Sequence, residues 1–313
     1  MRPISPDLVH QVNVCPRRAA LYTRLGLKPE RWVVDDVLRS AARAYLAEQT
    51  GEGPRRRLEA AIDVLWQSND LDRDTTEDAQ EILLNLDRWW SGSGIARPRV
   101  TSQAAGYTLA LPDSTYHTEY DGTVVDDDGT TWLLKLVVMH SIRDIVDRFQ
   151  IDDPAALAVH AWNHTNLDRP AVGVAYVGIR RKVPAVPQIV EKGKRFSKRP
   201  CDTTVQVFLE ACKAAGFDPD DYADVITDLE HKGHPFHSYH TQPVSTAKIA
   251  SALLRLYVPL QLLNDIHIGT SDRAIAQARP HSFYVCADCQ VRQTCLAIEN
   301  GVSVERATRP LFY

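Results

Sequence analysis

The sequence predicts an α+β protein, a mixed central β-sheet flanked by helices. Three observations carry this expectation. Through residue 95 the apolar residues recur mostly at helical spacing. The texture then turns strand-like in "RVTSQAAGYTLAL", "TYHTEYDGTVV" and "TWLLKLVVM". After a helical stretch comes "AVGVAYVGIRR", apolar almost throughout, as an interior strand requires. The order is therefore helices followed by β-β-β-α-β.

Each element has its own local reason. Residues 16–26 and 31–49 read as helices, the second with a stripe of Trp32, Val33, Leu38, Ala42, Tyr45 and Leu46. "GEGPRRR" at 51–57 reads as a break with a basic cluster, and helix resumes over 58–68. "TTEDAQEILLNLDRWW" has a Thr cap, acids in its first turn and one apolar face made by Ala79, Ile82, Leu83, Leu86, Trp89 and Trp90. "SGSG" at 91–94 stops it. "DDDG" at 126–129 lies between two strand patterns and signals a hairpin turn. "SIRDIVDRF" and "DPAALAVHAWNHT" are helical. Further on, "TTVQVFLEACKAAG" and "DDYADVITDLEHKG" are helical and "HPFHSYHTQPV" is strand-like. "STAKIASALLRLYVPLQLLNDI" is a long helix with a Ser cap, and Pro259 is expected to kink it.

The chain has 313 residues, 44% apolar and 24% charged, enough for one integrated domain. It divides into a helical part (1–95), an αβ core (96–182), a basic and helical insert (183–244) and a C-terminal helix with a cysteine run (245–313). The net charge of −4 gives no global attraction to polyanions, so nucleic-acid binding requires a local basic surface. No apolar run is long enough to span a bilayer, and "MRPISPDLVHQ" has no signal-peptide h-region. A cytoplasmic location without membrane contact is expected.

Six cysteines are present. Cys201 and Cys212 are isolated and read as small buried hydrophobes. Cys286, Cys289 and Cys295 form a C-x2-C-x5-C run in "VCADCQVRQTC". Clustered thiols in a reducing compartment point to a soft metal or an iron–sulfur cluster. Cys15, in "NVCPRRAALY", is the obvious fourth ligand. A zinc ribbon needs two C-x-x-C knuckles and only one is present, so zinc is the lesser alternative. Scattered ligands suit a four-cysteine cluster.

One Cys before Pro-Arg near the start and C-x2-C-x5-C near the end, around a mixed-sheet core, resembles the iron–sulfur branch of the PD-(D/E)XK nucleases. These are the RecB/AddB-like enzymes and their phage and CRISPR-associated exonuclease relatives. "FHSYHTQPVSTAKIASALL" resembles their closing part, and "KGKRFSKRPCDTTVQVFLEACKAAGFDPDDYADVITDLE" is similar to an insert of phage-encoded members. The resemblance covers nearly the whole chain. It implies a restriction-endonuclease-like core and a [4Fe–4S] cluster on Cys15, Cys286, Cys289 and Cys295 that staples the chain ends. It also implies a phage origin, with residence in the host cytoplasm or the virion.

The nuclease chemistry of that family uses a divalent metal held by carboxylates on adjacent strands, beside a lysine. Asp121 matches the first acid and Lys135 the lysine, but Leu133 stands where the second acid belongs. The family's helical His would fall near Arg39, and its Gln-x-x-x-Tyr helix near Ala156 and His160. The resemblance therefore implies a catalytically degenerate nuclease kept as a DNA-binding or protein-interaction module. Two alternatives stand beside it. One is an active Mg²⁺-dependent exonuclease with relocated acids, Glu119 joining Asp121. The other is an assembly subunit of a phage particle, and recombination or assembly proteins are the expected partners. The Asp126, Asp127 and Asp128 triplet reads as a solvated turn.

Lys135 lies in an apolar strand, and an unpaired buried ammonium costs several kcal/mol, so it is expected to pair with Asp121 or Glu119. The segment 180–199 carries Arg180, Arg181, Lys182, Lys192, Lys194, Arg195, Lys198 and Arg199 against Glu191 alone. Such a charge run reads either as solvated surface or as a grip on a DNA backbone that reads no sequence, a patch that Arg55, Arg56 and Arg57 could extend. The histidines at 231, 234, 237 and 240 match no zinc motif and read as surface or half-buried residues.

Overall fold

The computed structural model describes residues 15, 21, 30–47, 53–68, 70–95, 99–111, 114–142, 149–150, 152–190, 195–197, 201–233, 235–267, 291–303 and 306–307. Three helices come first: α1 (Glu30–Ala47), α2 (Gly53–Gln67) and α3 (Arg73–Gly92). Helix α2 begins inside the segment expected to be a break. Pro54 sits in its first turn, where a missing N–H leaves no bond unmade and the fixed φ suits a helix. The cap of α3 is Asp72, whose side chain accepts from the Thr75 amide, and not a threonine as expected.

Strands β1 (Arg99–Leu111), β2 (Ser114–Val125) and β3 (Thr131–Met139) form an antiparallel meander. The β2–β3 turn is made by the acidic triplet: Asp126 closes it through Gly129 N–H, and Asp128 accepts from the Thr130 amide. Helix α4 (Asp153–Thr165) then crosses to β4 (Ala171–Arg180), which runs parallel to β3. The fifth strand, β7 (His237–Pro243), pairs antiparallel with β4, giving the order β1-β2-β3-β4-β7. The mixed sheet flanked by helices is therefore present, and 237–243, grouped by sequence with the insert, belongs to it. Gly173 is required at that seam, because a Cβ there would lie 2.2 Å from the Gln242 carbonyl oxygen.

The sheet buries both faces. Leu134, Leu136, Ala175, Val177 and Ile179 face α1, α2 and α3, meeting Leu38, Ala42, Leu65, Leu83 and Trp90. Leu133, Val174 and Tyr176 face the other way, against Ala155, Ala158 and Val159 of α4. Helix α7 (Thr246–His267), with Ser245 accepting from Lys248 N–H, packs on α4 through Ala252, Leu256 and Leu260. Each such buried leucine contributes about 1.5–3 kcal/mol. Between β4 and β7 lie the short strands β5 (Ile189–Val190) and β6 (Arg195–Phe196), then α5 (Val205–Ala215), a 3-10 turn (Pro219–Tyr222) and α6 (Ala223–His231). This insert has its own small core of Phe196, Phe208, Cys212, Tyr222 and Leu229. Helix α8 (Arg292–Glu299) carries Cys295. Among the described residues no helix is long and apolar enough to cross a membrane.

Candidate functional site

Asp121 is fully buried on β2. A lone carboxylate there would not stay ionised, so its partners decide its chemistry. Helix α1 supplies two of them. Arg39 and Arg43 stand one turn apart, on the face that packs against the sheet. Arg39 Nε donates at 3.1 Å to Oδ1 and 3.3 Å to Oδ2. Arg43 Nε donates to Oδ1 at 3.0 Å, joined by Arg43 Nη2. The Leu136 amide donates to Oδ2 at 2.7 Å. A carboxylate offers about four lone-pair sites, and these donors fill them. Burial works against the Arg39 guanidinium, but Asp121, with the charges of Glu119 and Asp36, holds the Arg39 pKa above its ordinary value.

Lys135 does not pair with Asp121 or with Glu119, which corrects the expectation from sequence. Its Nζ lies 2.7 Å from Asp152 Oδ2, with its side chain 23% exposed. The two side chains reach different helices, and the β2–β3 pairing ends at Gly122, one residue short of Asp121. Lys135 shares the face of Leu133 and Val137, toward α4, whereas Asp121 turns toward α1 on the opposite face. Asp152 also caps α4 by accepting from the Ala155 amide at 3.1 Å, and Tyr176 donates to it at 3.2 Å. Burial, and then the neighbouring Asp152 charge, push the Tyr176 phenol far above its ordinary range. Phe149 stacks on the Tyr176 ring.

The other positions singled out from sequence now have places. Leu133 is buried in the α4-side core and does not stand beside Asp121. Ala156 is buried against Tyr116 and α7. His160 is half-buried, edge-on to His164 at 4.4 Å, and burial followed by the His164 charge lowers its pKa. Glu119 is exposed, on the same side as Asp121, where its charge acts on Arg39. Asp126 accepts from Trp132 Nε1 at 2.7 Å, a structural role in the turn. The residues the nuclease resemblance assigns to Mg²⁺ therefore do not fit it: the one matching carboxylate is saturated by two guanidinium groups and an amide, and Leu133 and Lys135 face α4.

Cys15 is buried and Cys295 is half-buried on α8, whereas Cys286 and Cys289 lie outside the described residues. Sheltered thiols suit a soft metal or cluster. Among the described residues no group of three or more potential metal ligands comes together. Cys212 is buried as expected, whereas Cys201 is only half-buried, its Sγ 3.5 Å from the Ala185 carbonyl.

Three of the eight basic residues spend their charge internally. Arg180 forks onto Asp202 at 2.7 and 2.8 Å, Lys182 joins the same carboxylate at 2.6 Å, and Arg181 reaches Asp35 of α1 at 2.8 Å. Arg195 is exposed on β6; Lys192, Lys194, Lys198 and Arg199 lie outside the described residues. Arg57 is buried over the Tyr45 ring at 5.7 Å and cannot extend a surface patch.

Sequence reasoning missed Arg43, Asp152 and Asp202. A signal existed for the first: two arginines four apart, among Leu38, Ala41, Ala42 and Tyr45, demand a buried acid. Asp152 before Asp-Pro was legible as a helix cap, but not as the partner of a strand lysine. In comparisons with protein-family models and with curated proteins, nothing matches this chain.

Proposed function

We propose that this chain is a nuclease-like iron–sulfur module that has lost cleavage and acts by binding. The observation that carries this reading is Asp121. Its lone pairs are occupied by Arg39, Arg43 and the Leu136 amide, so it has little to offer a hard divalent cation. Two organic cations stand where the family resemblance expects a histidine and a metal. Glu119 on its own is a single exposed carboxylate, which does not favour the active exonuclease with relocated acids.

The scaffold part of the proposal is supported by the β-β-β-α-β order and the parallel β3–β4 pair joined through α4. The cluster part is supported by the residue types, by the burial of Cys15 and by the half-buried setting of Cys295. Cys15, Cys286, Cys289 and Cys295 would hold a [4Fe–4S] cluster, which would tie the two ends of the chain together. The binding part rests on residues 192–199, because Arg180, Arg181 and Lys182 are engaged in ion pairs.

The test is anaerobic purification with iron and sulfide counting, followed by DNA binding across a salt series. The expected result is about four irons per chain, and DNA affinity that falls with salt and with neutralisation of 192–199. Iron-free protein would remove the cluster. DNA affinity unaffected by the 192–199 change, or none at all, would move the binding role to a protein partner.

A further inference from the structure

A second site lies on the same sheet, at the carboxyl ends of the parallel strands β3 and β4. Met139 and Arg180, which end these strands, are register partners. Crevices beyond the carboxyl ends of parallel strands are recurrent ligand sites in α/β sheets. Here a cleft of about 850 Å³ opens, lined by Ser141, Arg180, Asp202, Thr203, Lys232 and Ser238 among others. A smaller cleft of about 470 Å³ shares Asp202, Thr203 and Lys232 as a common wall.

Two hydroxyls of the larger cleft are anomalous. Thr203 is only 1% exposed, and its Oγ1 has no hydrogen-bond partner among the described residues. Ser238 Oγ is also buried and without a described partner. Across the strand pair Ser238 faces Gly178, which has no side chain to offer. Buried hydroxyls cost about 1–3 kcal/mol when unsatisfied, so two on residues lining one cleft need an explanation.

Around them three cations, Arg180, Lys182 and Lys232, stand against Asp202 and Asp228, with Asp224 on the smaller cleft. Asp202 already carries two cations, Arg180 and Lys182. Lys232 adds a third, paired with the exposed Asp228. Helix α5 starts at this wall, directly after Thr203, with Thr204 as its cap, so its positive end meets the cleft. The negative end of α6 also arrives there, at Lys232, whose ammonium offsets it.

We propose that this cleft binds a phosphate group, carried by a small phosphorylated molecule or by the end of a nucleic-acid strand. A tetrahedral oxyanion presents several acceptors at once. Thr203 Oγ1, Ser238 Oγ and Lys232 Nζ, all on residues lining the larger cleft, are the donors such a group would take. Arg180, held by Asp202, supplies field without leaving its partner. The phosphate site stands or falls separately from the nuclease-like function.

The test titrates the full-length protein with inorganic phosphate in chloride buffer by calorimetry. One saturable site is expected, with a phosphate-dependent rise in Tm. Thr203→Val is isosteric and removes a hydroxyl that bonds no described residue, so the fold is kept. It should weaken phosphate about tenfold, as should Ser238→Ala and Lys232→Gln. A short oligothymidylate with and without a 5′-phosphate identifies the source. A Thr203-dependent preference for the phosphorylated strand assigns a strand end, and inorganic phosphate binding without that preference assigns a small molecule. No saturable phosphate binding by the wild-type protein, or Thr203→Val and Ser238→Ala binding as well as wild type, overturns the site.

Discussion

Asp121 and Lys135 lie on neighbouring strands yet send their side chains to opposite faces of the sheet. Asp121 meets Arg39 and Arg43 of α1, and Lys135 meets Asp152 at the head of α4. A metal-assisted nuclease needs these groups at one point. Here each is half of a separate ion-paired joint between the sheet and a helix.

Removing the Asp121 carboxylate should therefore damage the fold. Asp121→Ala leaves two guanidinium groups in the α1–sheet interface without their counter-ion. The expected loss is about 3–5 kcal/mol, read by urea unfolding. A metal-binding carboxylate would behave oppositely, because its removal relieves repulsion. Unchanged or increased stability would contradict the assignment.

The Lys135–Asp152 pair should show direct coupling. Lys135→Met is expected to cost about 1–3 kcal/mol. Asp152→Ala should cost more, because it also removes the α4 cap and the acceptor of Tyr176. In the double mutant the losses should fall short of additive by at least about 0.5 kcal/mol. Additive losses would mean the two side chains do not interact.

Acid should weaken two tertiary links. The Arg255 fork, helped by Lys248, lowers the Asp153 pKa, and the Arg180 fork, helped by Lys182, lowers that of Asp202. Both carboxyls are depressed in the folded state. Their stabilisation is thus complete above the ordinary carboxylate value of about 4 and is lost as pH falls through the lower folded values. Arg255→Gln and Arg180→Gln should each flatten the stability–pH curve in that acid window. Curves parallel to wild type there would rule out these links.

Gly173→Ala should loosen the β4–β7 seam. The added Cβ meets backbone atoms, the Gln242 oxygen at 2.2 Å and the Pro243 Cα at 2.8 Å, and neither can rotate away. A loss of about 1–3 kcal/mol is expected, with faster amide exchange in β7. Wild-type exchange at 237–243 would contradict the contact.

Much of the sheet was legible because strand patterns report a local property, the alternation or continuity of apolar residues. β3 and β4 show it most clearly. The site was less legible, because ion pairing joins residues 78 apart in Arg43–Asp121 and 17 apart in Lys135–Asp152. Period-two reasoning correctly placed Leu133 and Lys135 on one face, but it could not say that Asp121 faced the other. The ion pairs of the basic run at 180–182 were illegible for the same reason. Its counter-ions, Asp35 and Asp202, are supplied by α1 and by the loop before α5, outside the run itself.

Cleavage of end-labelled DNA by anaerobically purified protein, with Mg²⁺ or Mn²⁺ at millimolar concentration, tests the central claim most directly. The arginine-saturated Asp121 predicts intact substrate at all times. Degradation by the wild-type protein that disappears in Asp121→Ala would contradict it.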